Sequence, residues 1–172
     1  MRRLLSSICF LVLASCSSLP IPDSDPASAE IRQVIEAFRT SIIERDRERF
    51  LSLFLHDRVT WQGVNGDESL ERLRIKLPKA TKAPINPKST HITFIDSIVK
   101  DPKRNEETFD NIHIDTDGDI ASVYFDYVYL EDGQESNHGK ESWLMVRSKL
   151  GWKIVSVVWS ENDPVTPTGQ SK

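Results

Sequence analysis

The spacing of apolar residues changes once along this chain, from a helical period in the first half to alternation in the second. From Ala29 onward, Ile31, Val34, Ile35, Phe38 and Ile42 recur every three or four residues, with Arg32, Glu36 and Arg39 between them. This spacing predicts an amphipathic helix. Asp46 is placed to cap a second helix over 47–55, whose stripe is Phe50, Leu51 and Phe54. Val59-Thr60-Trp61 is a short β-prone run ended by Gly63. Asp67 then caps an expected third helix over 68–77, with Leu70, Leu73 and Leu77 on one face and Pro78 as its stop. The stretch 78–90, with three prolines and three lysines, reads as a surface loop. From His91 onward the runs read as strands, over 91–99, 108–115, 120–130, 137–149 and 152–159. The separating segments are a polar turn at 101–107, Asp115–Asp119, 131–136 and Leu150-Gly151. Helices followed by an antiparallel meander predict an α+β domain, helices packed on one face of the sheet.

Two stretches carry a family resemblance. Glu44-Arg45-Asp46 at the helix bend is followed by Leu53-Phe54-Leu55-His56-Asp57-Arg58-Val59-Thr60-Trp61. The chain's last strand pair ends in Gly151-Trp152-Lys153-Ile154-Val155-Ser156-Val157-Val158-Trp159-Ser160. Together these resemble the start and the final hairpin of the nuclear transport factor 2-like superfamily, the hairpin especially its SnoaL-like members. The resemblance covers Ala29 to Asn162. It implies the cystatin-like cone, a curved, mainly antiparallel sheet wrapped around a long helix and enclosing a pocket. That scaffold carries isomerases, dehydratases, hydrolases, binding modules and assembly hubs, so function must be argued from the site.

Phasing the strands from their turns nominates pocket residues. With Leu150-Gly151 as a two-residue loop, Ser142, Leu144 and Val146 lie opposite Trp159, Val157 and Val155 on one apolar face. Glu141, Trp143, Met145, Ile154 and Val158 fall on the other. In the preceding strand Val123, Phe125, Tyr127 and Tyr129 share a face, which the resemblance places on the concave side. The expected pocket is therefore lined by Phe125, Tyr127, Leu144, Val157 and Trp159, with Trp61 at its rim. It suits a small apolar or aromatic ligand fixed by a tyrosine hydroxyl. The same stripe also fits an ordinary filled core. The outer face, with Trp143, Met145, Ile154 and Val158 among charges, is half apolar, and the resemblance implies a homodimer interface there.

Chemistry rests on one carboxylate. If Asp115 pairs with Ile120, Asp110 falls opposite Phe125 and points inward with Ile112 and Ile114, close to Tyr127. Asp110 as base and Tyr127 as hydrogen-bond donor would make an isomerase or dehydratase. A one-residue register shift instead turns Asp110 outward and His113 inward, and no second inward acid is evident. Where the resemblance implies a histidine on the last strand, this chain has Ser156-Val157-Val158. The reading therefore leans away from an enzyme, toward a module that binds a small ligand or a partner protein. No cofactor is expected. Asp115-Thr116-Asp117-Gly118-Asp119 has its glycine two places early for a calcium loop, and His56, His91, His113 and His138 lack ligand spacing, so no metal site is expected.

The N-terminus supplies an address. Met1-Arg2-Arg3, an apolar run to Leu13 and Ala14-Ser15-Cys16 form a secretory signal too short to span a bilayer. Small residues followed by cysteine closely resemble the bacterial lipobox, which implies cleavage before Cys16 and acyl chains on that residue. The expected organisation is a signal peptide over 1–15, Cys16 and a Pro- and Ser-rich tether over 16–28, a domain over 29–162 and a tail over 163–172. The expected location is the cell envelope, anchored to the outer membrane and facing the periplasm. Losing Arg2 and Arg3 makes the chain more acidic than its full-length net charge of −4. That argues against a nucleic-acid partner and leaves anchoring to the acyl chains. Cys9 and Cys16 are the chain's cysteines, so the domain has no disulfide and depends on packing.

Overall fold

A computed structural model describes residues 25–164. Cys16, the signal segment, the tether up to residue 24 and the tail from residue 165 lie outside the described residues.

Helix α1 spans Pro26–Glu44, three residues earlier than the apolar period indicates. Asp25 is its N-cap, accepting from the Ser28 amide at 3.4 Å, and Pro26 begins the first turn. Ala27 and Ser28 are buried, so they belong to the domain and not to a tether. Ile31, Ile35, Phe38 and Ile42 form the buried face, as their spacing predicts. Helix α2, Arg47–Ser52, is capped by Asp46 at 3.0 Å from the Arg49 amide. It stops short of Phe54, whose backbone instead bridges to Ile154.

Strand β1, Thr60–Asn65, runs straight through Gly63. Helix α3, Asp67–Lys76, is capped at Gly66, which leaves Asp67 in the first turn. The strand expected over 91–99 is corrected to a helix, α4, which spans His91–Lys100. A reciprocal capping box between Thr90 and Thr93 starts it, and His91, Ile95 and Ile98 are buried on one face. Its β-branched residues mimic strand composition, but burial against the rest of the core decides the conformation.

Four strands follow, β2 (Asn105–Thr116), β3 (Ile120–Glu131), β4 (Gln134–Ser148) and β5 (Gly151–Glu161). The sheet order is β1-β5-β4-β3-β2, antiparallel except where β1 runs parallel to β5. The β3–β4 turn is Asp132-Gly133, both at positive φ (51° and 79°), the tight turn expected of that dipeptide. The β4–β5 turn is Lys149-Leu150, because Ser148 pairs with Gly151.

Bulges at three places set which residues face the helices. Asn111, at φ 52°, adds a residue to β2 between Asp110 and His113. Ser136 is extra on β4, and Val155 on β5. Each reverses the alternation on one side of itself. With Val155 set aside, Val157 pairs with Trp143 and Ser156 with Leu144. The helix-covered face of β4 is therefore Glu141, Trp143 and Met145, not Ser142, Leu144 and Val146. Trp143, Met145 and Ile154, expected outside as part of a dimer surface, are fully buried in the core. Leu144 is half exposed on the opposite face. The second half of β5 keeps the expected phase, with Val157 buried inward.

Candidate functional site

The concave side of the sheet, closed by α1 and α4, encloses a cavity of about 210 Å³. Its apolar wall is Phe38 from α1, Trp61 from β1, Phe94 from α4 and Trp159 from β5. Trp61 is central to that wall, with ring centroids 5.1 Å from Trp159 and 5.3 Å from Phe94. Gly63 makes room for Trp159: a Cβ there would meet the indole ring at 2.8 Å. The polar lining is Glu107, Tyr127, Tyr129, Asn137, Glu141 and Glu161.

Of the residues nominated from sequence, Trp61, Tyr127 and Trp159 line this cavity. Phe125 and Val157 are buried beneath it as core, Phe125 meeting Trp143 edge-on at 5.2 Å. Leu144 projects from the other face of the sheet and cannot reach it. Asp110 is exposed and pairs with Asp126 across the outer face, because the Asn111 bulge turns it away from the cone. His113 is exposed as well, opposite Tyr124. Neither register weighed from sequence therefore supplies an inward acid or base. The Asp117 carboxylate is used by its own turn, accepting from the amides of Asp119 and Ile120 at 2.9 Å.

The tyrosines are already committed. The Tyr127 hydroxyl lies 3.0 Å from both Asn137 Oδ1 and the Ser160 carbonyl and donates within that pair. Tyr129 donates to Asn105 Oδ1 at 2.8 Å. Burial, with the charge of Glu107 added, pushes both phenols well above their ordinary range, so they stay neutral. They build the wall and have no proton left to offer a ligand.

The groups that sequence reasoning missed are two glutamates. Glu107 and Glu141 are 4% and 5% exposed, and both line the cavity. Glu141 accepts a hydrogen bond from the Trp143 indole N–H. Glu107 has no hydrogen-bond or ion-pair partner among the described residues. Desolvation raises the pKa of Glu107 well above the carboxylate range, and the nearby Glu141 charge adds to that. Desolvation also lifts Glu141 to about 7, against the opposing Trp143 bond. Burial therefore biases both carboxyls toward their protonated form, able to donate a proton or, once ionised, to meet a cation. Glu107, expected in a polar turn, lies within β2. Glu141 falls on the outer face only when β4 is phased against an unbulged β5. One signal was available: Glu141, Trp143 and Met145 alternate with Ser142 and Leu144, and one of those two sets had to be inside.

Comparison with solved structures identifies the architecture. A protein from Pseudomonas putida KT2440, described as nuclear transport factor 2-like and of unknown function, superposes with a TM-score of 0.58 at 14% identity, over 84% of this chain and 99% of that one. A nuclear transport factor 2-like superfamily protein from Salmonella enterica gives 0.53 at 20% identity, over 84% and 97%. A protein from Novosphingobium aromaticivorans described as having a cystatin-like fold gives 0.54 at 16% identity, over 81% and 84%. The chain has the nuclear transport factor 2-like fold. No family model and no curated protein matches the chain. At these identities the likeness carries the nuclear transport factor 2-like cone and nothing about what sits inside it.

Proposed function

We propose that the cone is a binding chamber for a small, partly apolar molecule, held without catalysis between the aromatic wall and the buried carboxyl pair. The observation that carries this reading is the Glu107 carboxyl, without a partner among the described residues and buried yet lining an aromatic-walled cavity. Burying such a group without a partner costs several kcal/mol, of order 2–7 for a neutral polar group, unless something in the cavity meets it. The volume, below the range of drug-sized sites, limits the occupant to a small molecule. An isomerase or dehydratase built on Asp110 loses its base, since that residue faces solvent.

The four tryptophans provide the test. Titrating benzyl alcohol or phenol should shift the indole N–H resonances of Trp61 and Trp159, while that of Trp152, buried away from the cavity, stays still. Equal movement at all four, or none at Trp61 and Trp159, would overturn the chamber.

The sequence around Cys16 supports a second, separate part of the proposal: the domain is held at the cell envelope by acyl chains on that residue. Two or more chains anchor stably where one does not. Among the described residues no helix is long and apolar enough to cross a membrane. Intact mass of the native mature protein should show a diacylated or triacylated Cys16, and Cys16→Ser should abolish it. A native protein with unmodified Cys16 would refute anchoring.

A further inference from the structure

We infer that the molecule taken by the cone is an organic cation, an aromatic or alkyl ammonium ion, with its nitrogen against Glu107 and Glu141 and its apolar body among Trp61, Phe94 and Trp159. This rests on the reading of the cone as a small-molecule chamber and specifies the charge of its occupant.

Four observations lead there. First, among the described residues the cavity lining has three carboxyls, Glu107, Glu141 and the exposed Glu161, and no lysine, arginine or histidine. An anion would meet only like charge. Second, Glu107 is more than nine-tenths buried, points into the cavity and lacks any partner among the described residues. Third, the hydroxyls that would fix a neutral acceptor are spent on Asn137, Ser160 and Asn105. The tyrosines therefore offer a carbonyl or ether ligand no donor. Fourth, three aromatic rings from β1, α4 and β5 converge on the same space. Their negative faces attract a cation, and desolvation strengthens that attraction. Charge-assisted hydrogen bonds from an ammonium to the carboxyls then supply what the protein withholds.

The binding must be linked to protons. The titratable groups facing Glu141 are Glu107 from β2, Tyr127 and Tyr129 from β3 and Glu161 from β5. Helices α1 and α4 and strand β1 present only Phe38, Phe94 and Trp61 to the cavity. A cation in their midst favours the ionised carboxyls, so its arrival expels a proton from the pair. Affinity for the cation should rise with pH through the range near 7 where Glu141 ionises, with Glu107 adding to the rise in the same direction.

Benzylamine and benzyl alcohol, alike in shape and differing in charge, separate the possibilities. Titrated into the wild-type protein near pH 8, the amine should bind at least about tenfold more tightly. By about pH 5.5 that ratio should shrink, and calorimetry in two buffers should show proton release for the amine alone. In a Glu107→Gln/Glu141→Gln protein the ratio of amine to alcohol affinity should fall to about one. If the alcohol binds the wild type as well as the amine does, the chamber stands and the cation inference falls. If neither moves the Trp61 and Trp159 resonances, both fall. Should the double variant not fold, the wild-type ratio and its pH dependence still distinguish a cation site from a neutral one.

Discussion

A Glu141→Gln protein is expected to be more stable than its parent above pH 7, by about 3 kcal/mol, and to lose that advantage in acid. Glu141 titrates at about 7 in the folded domain against 4.5 for an unperturbed side chain, because the cone strips its carboxylate of water. A folded pKa above the unfolded one means that the native state binds the extra proton. The parent's stability from this group is therefore complete below about pH 4.5, declines as pH rises toward 7 and is gone above it. At about 1.4 kcal/mol for each tenfold change in proton affinity, the displacement amounts to roughly 3 kcal/mol. Glutamine carries no charge to bury, and its carbonyl oxygen can still accept from the Trp143 indole. Denaturant titrations from about pH 4 to about pH 9 should give a sloping parent and a much flatter variant. Parallel curves would mean that Glu141 is solvated. Glu107 shifts in the same direction, so a fall in stability with rising pH that remains in the Glu141→Gln protein should diminish further in the Glu107→Gln/Glu141→Gln protein.

The second large effect lies under the cavity floor. Trp143 is completely buried, with ring centroids 4.9 Å from Phe38 and 5.2 Å from Phe125, and its indole N–H holds Glu141. Trp143→Ala should cost about 3–5 kcal/mol, most of the stability of a domain that has no disulfide to support it. The neighbouring Leu144→Ala, on the half-exposed outer face, should cost well under about 1 kcal/mol. Melting of both variants side by side checks the phase of β4 directly. Comparable losses at the two positions would show that the strand is registered differently.

The contrast between those two residues shows what the sequence could and could not disclose. Helical and alternating periods are properties of single segments, so α1, α2, α3 and the broad extents of β2 to β5 are readable from spacing alone. The cone itself is reached through the resemblance at Glu44–Trp61 and Gly151–Ser160. A bulge is different: it inserts one residue and reverses every assignment beyond it, without altering composition. The bulge at Asn111 takes Asp110 out of the cone and brings Glu107 into it. The one at Val155 shifts the pairing of β4, so Glu141 enters and Leu144 changes places with Trp143. Only Asn111, an asparagine in the left-handed region, belongs to a residue type that tolerates such a position, which is too weak a mark to place a bulge beforehand. Tyr127 faces the cone because β3 itself carries no inserted residue. Trp159 keeps its face because Val157 and Trp159 lie beyond the Val155 bulge, whose effect falls on the first half of β5 and on the partner strand. Helix α4 escapes sequence reading because Ile92, Thr93, Ile95, Ile98 and Val99 are strand formers by propensity and helical by packing.

The parallel pairing of β1 with β5 has a consequence for how the molecule comes into being. Trp61 and Trp159 pack ring against ring at a tilt of 57° although about a hundred residues separate them in the chain, one of the longest loop closures available to this domain. During synthesis the helices and the first hairpins can form in order, but β1 has no strand to pair with until β5 has emerged. Until then Trp61 lacks the Trp159 ring and the cavity that buries the two glutamates is open on that side. The chamber is thus the last part of this domain to form, and any ligand that favours it would act as a seal on a nearly finished fold, selecting domains in which β5 has paired with β1.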